Sequence, residues 1–309
     1  MASTVSLLGD VVIITGAGRG IGRSHALAAA ALGARVVVND AGVAVDGGDG
    51  ENPAEQVVRE IVEAGGEAVA STHSITDPAQ AKAIVDLAVE TFGSVDAVVH
   101  NAGILRDRAF TKLSDEDIAM VMDVHLIGAF NVLRPAVEIM REQRHGRIVL
   151  TSSASGLLGN FGQSNYGAAK MGLVGLMNVL AVEGAPRGVL VNTIAPSART
   201  RMTEDLLGPL ADSLDPSHVS PLVTYLCSRQ CEVTHEIFAV GGGRYARMFV
   251  GVAPGWAVGK GNTATADDIA ENLASIRSID GFVIGDSGEA ELGFLRAGVE
   301  APAPGPLKG

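Results

Sequence analysis

The chain has 309 residues, 47% of them hydrophobic and only 4% aromatic, with a formal net charge of −12. That is ample material for a sizeable core in one large domain with an appendage. The acidic balance argues against a general nucleic-acid binder and against docking on an anionic membrane.

The N-terminal MASTVSLLGD lacks the basic flank and long apolar core of a signal peptide, and no uninterrupted apolar run is long enough to span a bilayer. Val11–Thr15 is a β-branched run that reads as a strand. Gly16-Ala17-Gly18-Arg19-Gly20-Ile21-Gly22 follows, then an alanine-rich helix over Ser24–Leu32. Strand, glycine turn and helix together form the context in which backbone approaches a pyrophosphate and the helix N-terminus favours its charge.

Ala34–Asn39 reads as the second strand and ends at Asp40, eighteen residues past Gly22. That is close to the ~20 expected of an acid that grips the adenosine ribose. A carboxylate there repels a 2′-phosphate and favours NAD over NADP. Arg19 points the other way, because an arginine near the ribose accepts that phosphate. The other reading of Asp40 is an ordinary turn aspartate.

Ala41–Asn52 is a Gly- and Asp-rich loop, and Pro53–Ala64 has helical spacing. Glu67–Ser71 is a short strand, Asp77–Phe92 a helix and Val95–His100 another buried strand, followed by Asn101-Ala102-Gly103. Ser114–Ile139 reads as a long helix broken near His125, and Arg147–Leu150 as a strand. Strands alternating with helices predict an α/β fold, a doubly wound, Rossmann-type parallel sheet with helices on both faces.

Thr151–Lys170 is the stretch with chemistry in it. Tyr166 and Lys170 stand four residues apart at the start of a helix, Tyr166–Ala181. Residues i and i+4 share a helix face, so the spacing predicts an ammonium beside a phenol, lowering its pKa. Such a tyrosine exchanges a proton with an alcohol. Ser153, just past a strand, is placed to hold the substrate oxygen. On its own a YxxxK pair is equally a surface Tyr–Lys pair.

Val189–Ile194 is a strand, and Ser197–Asp215 a loosely patterned segment with a short helix. Ser220–Cys227 is helical, and Glu236–Val240 is a last strand before Gly241-Gly242-Gly243. Cys227 and Cys231 are the only cysteines. Without clustered histidines they read as reduced packing residues rather than a metal site, which fits a cytoplasmic setting and no bound metal. Residues 1–243 form the dinucleotide-binding domain, and 244–309 a C-terminal extension and tail packed on it, with a helix over Ala266–Arg277 and Thr265 as its N-cap.

TGAGRGIG (15–22), Asp40, HNAG (100–103), Ser153 and YGAAK (166–170) stand in family order and spacing, and over roughly residues 8–245 the chain resembles the short-chain dehydrogenase/reductase family. Within it, VVVND (36–40), NAGILRDRAF (101–110), VHLIGAF (124–130), NTIAPSARTRMT (192–203) and SPLVTYLCSRQCE (220–232) are similar to one branch. This is the (3R)-hydroxyacyl-CoA dehydrogenase part of type 2 peroxisomal multifunctional enzymes, also termed 17β-hydroxysteroid dehydrogenases type 4. The resemblance implies a free-standing, bacterial-type dehydrogenase that lacks the hydratase and sterol-carrier parts.

It also implies roles. Tyr166 would be the general acid/base and a cofactor contact, Lys170 its activator and a ribose contact, and Ser153 the orienter of the substrate oxygen. Gly16, Arg19, Gly20, Ile21 and Gly22 would form the phosphate loop, with Asp40 on the ribose. Ser74 and Ile75 would meet the adenine by backbone, where the family usually has an acid. Asn101, Ala198 and Thr200 would lie toward the nicotinamide, although Pro196 is followed by Ser197 where the family has Gly. His125 stands where most members have the asparagine that holds a proton-relay water, and it is equally a histidine packed at a kink.

The leading expectation is an NAD-dependent dehydrogenase of 3-hydroxyacyl-CoA thioesters in fatty-acid or sterol side-chain degradation, assembled as a homodimer or homotetramer. A 17β-hydroxysteroid dehydrogenase, an NADPH-dependent 3-oxoacyl reductase, and a catalytically silent cofactor sensor remain alternatives. Arg106, Arg108, Arg199 and Arg201 are the cations expected at the crevice rim for the phosphates of CoA.

Overall fold

The computed structural model describes residues 5–42, 52–198 and 213–300. Val11–Thr15 (β1) is buried along its whole length, as a strand covered on both faces must be. Its side chains divide by the period of two. Val11 and Ile13 join one core with Val37, Val98, Ile148 and Leu150. Val12 and Ile14 join the other with Val36, Val38, Val99 and Val149.

The described strands form one eight-stranded sheet in the order β3-β2-β1-β4-β5-β6-β7-β8. After β1 come Arg35–Asn39 (β2), Glu67–Ser71 (β3), Ala97–His100 (β4), Gly146–Thr151 (β5), Val189–Pro196 (β6), Ile237–Gly241 (β7) and Arg244–Met248 (β8). All neighbours pair in parallel except β7 and β8. β8 follows β7 through Gly242 and Gly243, both at positive φ (56° and 77°), as a tight hairpin turn requires. Beyond Gly243, then, the chain first adds an edge strand to the sheet.

Gly20–Ala31 (α1) and Pro53–Glu63 (α2) supply residues to the core that holds Val12. Pro78–Phe92 (α3), Gly128–Gln143 (α5) and Ser164–Gly184 (α7) supply the core that holds Val11. α1 begins inside the glycine sequence, four residues before the predicted start. The predicted long helix runs through Asp115–Met122 (α4), a π-turn at Asp123–Ile127, and α5. The break near His125 is therefore a one-residue bulge in a continuing helix. A five-residue helix, Ala154–Leu158 (α6), precedes α7.

Asp115–Gln143 and Ser164–Arg187 are each long and apolar enough to cross a bilayer by length and composition. Their apolar residues Val132, Leu133, Met140, Leu173, Val174 and Met177 belong to the core of the sheet instead.

The chain divides into two compact units, Met1–Met248 and Phe249–Gly309. In the second, Thr265 caps Ala266–Glu271 with a reciprocal capping box, Phe249 stacks on Phe282 at 5.7 Å, and Glu289–Glu300 is helical.

Candidate active site

Strand order reverses at β1, which lies between β2 and β4. Ligands of open α/β sheets bind at such a switch point, beyond the carboxyl ends of the strands. The loop after β1 and the HNAG stretch after β4 both emerge there.

The two segments are in close contact. A Cβ on Gly22 would stand 2.1 Å from the Gly16 carbonyl oxygen and 2.6 Å from Asn101 Nδ2. Asn101 Nδ2 donates to the carbonyls of Thr15 (3.3 Å) and Gly16 (3.1 Å). Arg19 sits at the N-cap of α1 without a side-chain capping bond, and the first turn holds no acid. Among the described residues no side chain caps the amides there, which suits a bound pyrophosphate. Asp40 borders the same loop. Its Oδ2 accepts from Gly18 N–H and its Oδ1 from Gly42 N–H, each at 3.0 Å. Each oxygen keeps a further lone pair for a ribose hydroxyl. The residues present thus fit a dinucleotide.

The other predicted cofactor contacts differ in standing. Ser74 N–H is taken by Gln80 Oε1 at 2.9 Å, and the Ile75 carbonyl accepts from Asn131 Nδ2 at 2.9 Å. Both backbone groups therefore already have protein partners. Ala198 is buried. Thr200, Arg199 and Arg201 lie outside the described residues.

Ser153 caps α6, its Oγ accepting from Ser155 N–H at 3.1 Å, and it also shares a hydrogen bond with the Tyr166 phenol. Lys170, 3% exposed, reaches under the tyrosine, its Nζ 5.5 Å from the ring centroid and donating to the Thr151 carbonyl at 2.5 Å. Ser152 Oγ donates to the Lys170 carbonyl at 2.7 Å, tying β5 to α7. The His125 ring meets Tyr166 edge-on, with centroids 5.2 Å apart. Ser153, Tyr166, Lys170 and His125 are thus brought together.

The predicted direction of the Tyr166 shift is reversed. Burial raises the phenol's pKa, the Ser153 hydrogen bond offsets part of the rise, and the nearby Asp107 carboxylate adds to it. Burial also pushes Lys170 down to about 7, so its charge is only partly present near neutral pH.

That shift has a consequence for stability. Between about 7 and the ordinary 10.5 the unfolded chain holds more protons at this lysine than the folded one, so stability rises with pH across the window. Below it the buried ammonium is a standing cost. Lys170→Met is expected to melt higher than the parent below pH 7, with the gap closing toward pH 10.5, while catalysis is lost. Melts that differ by the same amount at every pH would contradict it.

Sequence reading passed over the residues that hold the catalytic loop in place. Asn165 Oδ1 accepts from Tyr166 N–H at 2.8 Å, and its Nδ2 donates to the Arg106 carbonyl at 3.2 Å. Gln163 Nε2 donates to Asp107 Oδ2 at 2.7 Å. Their place beside Tyr166 in the sequence was the available signal. Arg106 and Arg108 both lie near Asp117, at 3.8 and 3.3 Å, so part of the predicted positive rim is already neutralised.

The family model described as short chain dehydrogenase matches residues 10–208. The chain is a short-chain dehydrogenase. Mouse peroxisomal multifunctional enzyme type 2 is 50% identical over 250 residues, which is 80% of this chain and 34% of that protein. This dehydrogenase therefore spans about a third of the mouse enzyme's length. A putative short-chain type dehydrogenase/reductase of Mycobacterium tuberculosis is 50% identical over 240 residues, 77% of this chain and 84% of the relative. The hydroxyacyl-CoA dehydrogenase ChsB1 of the same organism is 40% identical over 256 residues, 78% of this chain and 80% of the relative. The crystal structure of a short chain dehydrogenase from Mycobacterium avium superposes with a TM-score of 0.78 at 45% identity, covering 89% of this chain and 98% of that one. Members of the family use a nicotinamide cofactor, NAD(H) or NADP(H), on a small-molecule substrate.

Proposed function

We propose that this dehydrogenase oxidises the 3-hydroxyl of acyl-CoA thioesters with NAD as acceptor, in fatty-acid or sterol side-chain degradation. The observation that carries the reading is the Tyr166 phenol, hydrogen-bonded to Ser153 above a buried Lys170, beside the switch-point crevice. The nicotinamide supplies the hydride acceptor. Ser153 holds the substrate oxygen, and Tyr166, after giving up its own proton to become the phenolate, takes the hydroxyl proton as the carbon is oxidised; in the reverse direction the neutral phenol donates it. Lys170 sets the electrostatics behind the ring.

The substrate class is supported by the name of the M. tuberculosis hydroxyacyl-CoA dehydrogenase ChsB1 and by the rim of the site. Phe110, Leu158 and Phe161 are 77%, 78% and 90% exposed. Arg108 N–H donates to the Gly162 carbonyl at 2.9 Å, joining the segments that carry Phe110 and Phe161. An acyl chain covers such a rim, and so does a sterol skeleton, which keeps the hydroxysteroid reading as the second one. NAD reduction measured across a panel of 3-hydroxyacyl-CoA esters and hydroxysteroids tests both. Faster turnover of the steroids would reverse the order, and turnover of neither class would overturn both.

Asp40 supports NAD. Asp40→Ala should lower kcat/KM for NAD by roughly tenfold, through a lost charge-assisted ribose bond, and raise use of NADP relative to NAD. A parent enzyme that already prefers NADP would refute the assignment.

A homodimer or homotetramer is supported by apolar residues left exposed on α5 and α7, with Phe130 at 41%, Val179 at 55% and Val182 at 51%. A monomeric mass by light scattering would end that reading. A cytoplasmic setting is supported by Cys227 and Cys231, both free and buried.

A further inference from the structure

His100 at the end of β4, and Asn101 and Gly103 just past it, go to different partners. Asn101 binds the glycine loop. A Cβ on Gly103 would stand 2.4 Å from His125 Cε1, so that glycine lies directly against the His125 ring. His100, 1% exposed, has its Nε2 3.0 Å from the His125 backbone carbonyl and its Nδ1 3.4 Å from Thr15 Oγ1.

The proton positions in this chain follow from capacity. A carbonyl only accepts, so His100 Nε2 carries the hydrogen. A neutral imidazole has one N–H, so Nδ1 accepts, and the Thr15 hydroxyl donates to it. Thr15 Oγ1 in turn accepts from Asn101 N–H at 3.1 Å and Ala102 N–H at 3.2 Å. One donor and two acceptor sites are then all used. The imidazole is neutral because burial, followed by the Lys170 charge, pushes its pKa down to about 4.

The His125 side chain is held far less completely. Its Nε2 lies 2.8 Å from the Ile104 carbonyl and 3.0 Å from the Ile104 N–H, and a single ring nitrogen serves only one of them at a time. Its Nδ1 is buried with no hydrogen-bond partner among the described residues. Ile104 and Gly103 meet the ring itself, while the π-turn backbone that carries it is held by His100 through the His125 carbonyl.

We propose that His100 is a positioning residue for the proton-transfer site. As the Nε2–H tautomer it ties the π-turn carbonyl of His125 to Thr15 of β1, and so fixes the His125 ring at the edge of Tyr166. The proposal rests on the reading of Tyr166 as acid/base. It links the cofactor loop and the catalytic turn through one buried imidazole.

Two measurements test it. Imidazole ¹⁵N NMR of the intact protein at neutral pH should show His100 as the Nε2–H tautomer, and an Nδ1–H tautomer overturns the clamp. Steady-state kinetics of His100→Leu should show kcat roughly tenfold lower with KM for the cofactor nearly unchanged, the scale of one lost buried hydrogen bond. His100→Gln, whose amide N–H reaches the same carbonyl, should recover most of the loss. Parental kcat in His100→Leu, or no recovery in His100→Gln, overturns the proposal. If His100→Leu does not fold, the tautomer still decides. Full turnover in Tyr166→Phe would remove the acid/base reading, whereas the tautomer reports on the clamp alone.

Discussion

Tyr166→Phe is expected to lower kcat by about 10²–10⁴-fold, the usual worth of a positioned proton-transfer group. The ring keeps its edge contact with His125 at 5.2 Å and its place over Lys170, so packing survives. Only the hydroxyl and its bond to Ser153 are removed. Cofactor affinity should stay within a few-fold of the parent, because Gly16, Gly22, Asp40 and Asn101 are untouched. Stopped-flow turnover together with cofactor titration separates the two. A folded variant with near-parental kcat would show that the proton leaves by another group.

Gly22→Ala makes the closest contact of any added methyl at the glycines of the described residues and is expected to be strongly damaging. The added Cβ would stand 2.1 Å from the Gly16 carbonyl oxygen, and neither neighbour has room to yield. Gly16 is held at φ +63°, and Asn101 Nδ2 is bonded to two loop carbonyls. Overpacking of this kind costs about 1–3 kcal/mol. Felt at the cofactor loop, that raises Kd for the cofactor by roughly 5–150-fold. It should also lower Tm by about 2–10 °C. Calorimetric titration with an accompanying melt measures both. Parental affinity would mean that the loop does not carry the phosphates.

The Tyr166 prediction was legible in the sequence, but the electrostatics around that tyrosine were not. The i, i+4 spacing places Lys170 on the same helix face, and the structure does put it under the ring. Spacing says nothing about how deeply the pair is buried or what the ammonium faces. Burial raises the phenol's pKa, and Lys170 is held by Thr151, nineteen residues earlier. The rim arginines follow the same logic. Arg106 and Arg108 are conspicuous cations in sequence, yet both meet Asp117, which α4 brings back to them.

Elements with a strong local pattern were readable. β1, β3 and the helix Ser220–Cys227 fall on the predicted residues. β8 was missed because RYARM, on the sheet edge, carries the charges and exposure of an edge strand rather than an apolar run. α6 was missed because five residues are too few to show a helical period.

By itself the sequence determined the alternating strands and helices and the glycine loop, and it marked Asp40 and the Ser153–Tyr166–Lys170 set as candidates. Each of these is written in local chain chemistry: hydrophobic period, backbone freedom and short spacing. The tertiary structure alone decided which way Tyr166 titrates, how much charge Lys170 carries, and that His100 and His125 meet across twenty-five residues. Those properties depend on desolvation and on hydrogen bonds between distant segments, and neither exists until the chain has folded.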